Sequence, residues 1–143
     1  MRKTWSTIEG DFYNAIKQTE LAKAISGDVY KFGIRPKDSK KEDTVVKVSA
    51  LDAKQLQSGT VSVITYLQPL TKADDGWVVP DKGRIAEIEA LTDSLPEELM
   101  RLLPDYDGIK LFDGVGNYYE DDTEEYFVSV KIKFDYLTDY LTT

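Results

Sequence analysis

Five carboxylates fall within six residues late in the chain: Glu120, Asp121, Asp122, Glu124 and Glu125. Clustered carboxylate oxygens suit a hard cation such as Ca²⁺. The spacing does not match an EF-hand loop, which needs Asp or Asn at its first, third and fifth positions, Gly at the sixth and Glu at the twelfth. The sequence therefore places the cluster in a solvated hairpin loop. Asp74 and Asp75 are a second carboxylate pair of the kind that glycoside hydrolysis uses. They precede Gly76 in a turn signal, and sequence neighbours there point apart. The run Gly114-Val115-Gly116-Asn117 has the glycines of a phosphate loop. It lacks the Gly-Lys-Ser ending, the third glycine of a dinucleotide fingerprint and a following helix, so it reads as a turn.

The chain has no histidine and no cysteine. That removes the commonest general base, the commonest metal ligand and every thiolate site. Ser-His-Asp, Cys-His and His-zinc chemistries are excluded, and so is a disulfide framework. The expectation is a protein with no enzymatic activity, no cofactor and no metal. The formal net charge is −8, with a pI near 4.6. Such a surface repels phosphate backbones, so direct nucleic-acid binding is not expected. Lys37, Lys40 and Lys41 are interleaved with Asp38, Glu42 and Asp43, which nearly neutralise them. No run approaches the roughly 18 apolar residues of a membrane span, and the N-terminus lacks the apolar core of a signal peptide. The chain reads as intracellular.

At 143 residues and 41 % hydrophobic the chain can bury one core, and a single domain over 1–143 is expected. The central element is Gly59 to Pro69, where Val61, Val63, Thr65 and Leu67 alternate with Ser62, Ile64, Tyr66 and Gln68. This is a strand inside a sheet, with packing expected on both faces. Before it, Ser6-Thr7-Ile8-Glu9 reads as a capping box, and Ile8, Phe12, Ala15 and Ile16 follow at helical spacing. Thr19 re-caps a short turn that Gly27 ends. Val29 to Arg35 and Thr44 to Ala50 read as strands, with a charged loop at Lys37 to Glu42 and a polar connector from Leu51 to Ser58.

Pro69 to Pro80 reads as a loop, and its Trp77, Val78 and Val79 either tuck onto the core or form an exposed contact. From Asp81, the residues Ile85, Ile88, Leu91, Leu95, Leu99 and Leu102 form a helical stripe interrupted by Pro96, which either kinks the helix or starts a second one. Gly108 to Val115 is a short strand. From Tyr126 to Tyr136 one face is wholly apolar, and the other carries Phe127, Ser129, Lys131, Lys133 and Asp135. That strand has one buried and one wet side. The expected architecture is α+β: a single, mainly antiparallel sheet of about five strands with two helices on one face, in the order α-β-β-β-α-β-β.

The segments IKQTELAKAISGDVYKFGIRP and EDTVVKVSALDAKQLQSGTVSVITYLQP, then a helix, then YFVSVKIKFDYL, resemble the tail-terminator and head–tail joining proteins of tailed bacteriophages and prophages. In that family an N-terminal helix leads to a short Gly-x-Val-Tyr strand, as at Gly27 to Tyr30, followed by a long hairpin, a helix and an aromatic-rich final strand. The likeness covers roughly Phe12 to Leu137. It departs in the short connector Leu51 to Ser58 and the long hairpin Gly114 to Glu125. The resemblance implies a structural protein of the virion or bacterial cytoplasm that assembles into rings, commonly hexamers, and meets tail-tube or head-connector proteins.

It offers no catalytic residues to carry over. Contacts would fall on the loops Lys37 to Glu42 and Gln68 to Pro80, and on tyrosines flanking the acidic hairpin. The candidate interface residues are Lys37, Lys40, Lys41, Asp74, Asp75, Trp77, Tyr118 and Tyr119. The nine tyrosines suit either sheet packing or such an interface. The alternative is a small intracellular module that binds another protein.

Overall fold

A computed structural model of the chain describes residues 3–52, 56–72, 78–112, 116–120 and 125–137. Among these residues four helices and eight strands follow one another: α1 (Trp5–Ile16), α2 (Glu20–Ala24), β1 (Val29–Lys31), β2 (Thr44–Leu51), β3 (Leu56–Leu67), β4 (Thr71–Lys72), β5 (Val78–Val79), α3 (Lys82–Asp93), α4 (Leu95–Leu102), β6 (Asp107–Leu111), β7 (Gly116–Glu120) and β8 (Glu125–Leu137). The main sheet runs β1-β2-β3-β8-β6, and β7 also pairs with β8. β6 meets residues 132–135 of β8 and β7 meets residues 125–129, both antiparallel, so the two short strands border the same edge. The expected α+β class with a mainly antiparallel sheet describes the molecule.

Details depart from the expectation for local reasons. β1 and β2 pair in parallel, Val29 opposite Thr44 and Lys31 opposite Val46. The long loop between them can return the chain to the starting end, as a parallel pair requires. β1 stops at Lys31, and Gly33, at φ +86°, turns the chain out of the strand where extension to Arg35 is expected. Thr4, rather than Ser6, caps α1 by accepting the Thr7 amide. Thr19 caps α2 as expected, accepting the Ala22 amide. Ser94 ends α3, and Pro96 sits in the first turn of a separate α4. The connector at Leu51 is shorter than expected because β3 begins at Leu56, the 69–80 segment carries the small β4–β5 pair, and Gly116–Glu120 is a strand of the sheet rather than loop.

The core lies between the helices and one face of the sheet. Ile8, Phe12 and Ile16 recur every fourth residue on α1, and Leu95 and Leu99 do so on α4. They meet Val46, Val48, Val61, Val63, Val128, Val130, Ile132 and Phe134 of β2, β3 and β8. Phe12 stacks at 5.1 Å from Phe134 and edge-on at 5.2 Å from Tyr106. Each fully buried side chain of this kind contributes about 1.5–3 kcal/mol. All the described helices stand on this side. Among the described residues, the other face of the sheet, expected to be packed as well, is covered at one end.

Candidate interaction surface

The covered end is closed by Arg35, reaching over the sheet from the loop between β1 and β2. Its guanidinium lies 4.1 Å above the centre of the Tyr66 ring. It donates to Asp43 at 2.9 Å and to both oxygens of Glu125, at 3.1 and 2.7 Å. Asp43 also accepts from the Ser39 hydroxyl at 2.5 Å and the Asp28 amide at 3.0 Å, and Glu125 accepts from the Gln68 amide group. Burial alone would raise the Asp43 carboxyl, but Ser39, the Asp28 amide and Arg35 together hold it below the ordinary carboxylate range. Glu125, expected in a solvated loop, is instead the buried first residue of β8. A buried charge pair needs such full hydrogen bonding to offset desolvation. This cluster ties the loop, β2 and β8 together and leaves neither of its two carboxylates free to act as an acid or base.

Beyond the cluster no described helix packs on this face. Residues directly opposite in register share a face, and four lysines fall in adjacent rows: Lys47 opposite Ser62, Ser62 opposite Lys131, and Lys133 opposite Lys110. Among the described residues none of these ammonium groups has a carboxylate within ion-pair distance. Lys47 lies 4.4 Å over the ring of Phe32, itself 58 % exposed. Phe112, 56 % exposed, follows Lys110 by two residues, and its amide donates to the Lys131 carbonyl. Between the lysines the hydroxyls of Ser49, Thr60 and Ser62 bond one another. The result is a lysine band flanked by two exposed phenylalanines in an acidic chain. Like charges directly opposite across strands destabilise a sheet, so this arrangement weakens the isolated fold.

The expected interface residues lie outside the band. Lys37, Lys40 and Lys41 are exposed on the loop that Arg35 anchors. Tyr118 and Tyr119 lie on β7, and the Tyr119 ring packs 4.8 Å from Tyr126. Asp74, Asp75 and Trp77, together with Gly114, Val115, Asp121, Asp122 and Glu124, lie outside the described residues. A shallow pocket between α3 and β8 is lined by Pro80, Lys82, Ile85, Glu89 and Tyr126. No described helix is long and apolar enough to cross a membrane.

The sequence did carry a signal for the band: Lys131 and Lys133 alternate with apolar residues on the wet side of the last strand. Their meeting with Lys47 and Lys110 depends on a strand order that the local pattern does not contain. Arg35 carried no signal, since its partner Glu125 is 90 residues away. Compared with protein-family models and with curated proteins, the chain matches none.

Proposed function

We propose that this chain is a non-enzymatic structural subunit that associates with copies of itself, head to tail. The observation that carries the reading is the sheet face opposite the described helices, where lysines with no carboxylate partner among the described residues lie together with exposed phenylalanines. An exposed apolar and single-sign patch of this kind marks a contact surface. Helices occupy only the opposite side, so the two sides of the subunit differ. Contacts between unlike surfaces are heterologous, and they close into rings when the rotation permits. The resemblance to phage tail-terminator and head–tail joining proteins supports a ring, commonly six subunits, in the virion or the bacterial cytoplasm. Tail-tube or connector proteins would be its further partners. With neither histidine nor cysteine, the acid–base groups left are carboxylates, lysines and tyrosines, which favours the non-enzymatic reading.

The same surface supports a second reading, a monomeric module whose lysine band receives a different, acidic protein. Light scattering over a concentration series, with negative-stain images of the same sample, separates the two. Growth of the mass toward a multiple of 16.2 kDa with ring-shaped particles is the expected result. A strict monomer at the highest concentration would overturn self-association and favour the module.

A further inference from the structure

We propose that the lysine band docks on the outer surface of α3 and α4 of a second copy, an inference that rests on the self-association reading. Ala86, Ala90, Asp93, Glu97 and Met100 are all exposed and recur at steps of three or four along the two helices. They form one outward stripe. Its two carboxylates precede Met100, an apolar side chain 59 % exposed at the end of the stripe. The alanines keep the first part of the stripe low, so another surface can approach. The stripe is thus the complement of the band in kind: acids with an apolar end against lysines with phenylalanines at either side. Complementary potentials of this sort set both orientation and partner choice.

The dimensions agree. From Lys47 on β2 to Lys110 on β6 the band crosses three strand spacings, about 14 Å. The stripe runs about 10 Å along α3, from Ala86 to Asp93, and about 5 Å along α4, from Glu97 to Met100, at the helical rise. One helix pair laid across β2, β3, β8 and β6 therefore covers the band. The opposing charges at the margins are few. Asp107 and Asp135 end the band at its far row, where Asp135 already accepts from the Ser58 hydroxyl. Lys82 and Arg101 lie at the ends of the helix pair, and Glu87 on α3 is held by Arg84 at 3.0 Å. Band and stripe lie on opposite sides of the subunit, so each copy offers one of each and the contact propagates.

A charge swap tests the pairing. The variants are K131E/K133E and D93K/E97K, with far-UV circular dichroism as the check of folding and sedimentation velocity as the readout. Each variant alone sets like charges against each other and is expected to stay monomeric where the wild type associates. An equimolar mixture restores opposite charges at every contact and is expected to associate. If both variants associate like the wild type, the docking surfaces are wrong while self-association stands. If neither the variants nor the mixture associates, the pairing of these two surfaces is wrong. A wild type that never associates overturns the proposal together with the reading beneath it. Should a variant misfold, the salt dependence of the wild type decides. Raising ionic strength from about 0.05 to about 0.5 M shortens the screening length severalfold and is expected to weaken association at least about tenfold. Association indifferent to salt would contradict the proposal.

Discussion

Arg35→Ala removes the cation from a cluster in which the side chains of Asp43 and Glu125 are only 1 % and 2 % exposed. Truncating one partner of a buried charge pair costs about 3–5 kcal/mol, because the other charge stays buried. Here Asp43 keeps its bonds from Ser39 and the Asp28 amide, and Glu125 keeps Gln68, which favours the lower end. Loss of the guanidinium over Tyr66 adds about 1 kcal/mol. The expected loss is about 4 kcal/mol, or about 8–16 °C in Tm for a chain of this size.

The pH dependence follows from the signs. In the wild type the Asp43 carboxyl is held below its unfolded value of about 3.9. Its contribution is therefore complete above that pH and fades as pH falls through the folded value. Without Arg35, burial of Asp43 is opposed only by its remaining hydrogen bonds, so its carboxyl binds a proton more readily and the variant's deficit shrinks on acidification. Urea unfolding at pH 7 and near pH 4.5 measures both quantities. The triple replacement Arg35→Met, Asp43→Asn, Glu125→Gln removes all three charges and is expected to recover most of the loss. A deficit under about 1 kcal/mol at pH 7, or one that does not narrow toward acid, would refute the assignment of Arg35 as the clasp of this end of the sheet.

Three further outcomes are expected. Phe12→Ala empties a fully buried site between Phe134 and Tyr106 and should lower stability by about 3–5 kcal/mol in urea titration. Gly27→Ala places a methyl group against the Asp43 carboxylate and the Glu42 carbonyl, so it should cost on the order of 3 kcal/mol or prevent folding, read by circular dichroism. Lys133→Glu turns the like-charge pair with Lys110 into an attractive one and should raise monomer stability by about 0.5 kcal/mol while weakening self-association. A stability gain with association unchanged would remove Lys133 from the contact.

Strand and helix identities were legible wherever one period dominated. The alternation of Val128, Val130, Ile132 and Phe134 announced β8 and its wet face, and the Ile85–Leu102 stripe announced α3 and α4. Partners were less legible. Residues 31–35 look like a continuing strand by composition, yet Gly33 turns the chain away. The parallel pairing of β1 with β2 rests on a loop whose path is fixed by Arg35, whose partner lies in a remote strand. The acidic hairpin looked uniformly solvated because the buried role of Glu125 depends on that same contact. The lysine band was present as four residues on three strands, β2, β8 and β6, and only the order β2-β3-β8-β6 brings them together.

The most direct test of the account is acetylation footprinting of lysines by mass spectrometry, comparing a dilute sample with one concentrated enough to associate. Lys110, Lys131 and Lys133 are expected to lose reactivity on association, while Lys37, Lys40 and Lys41 on the neighbouring loop keep theirs. Protection of the loop lysines with the band still labelled would contradict the account and return the contact to the loop.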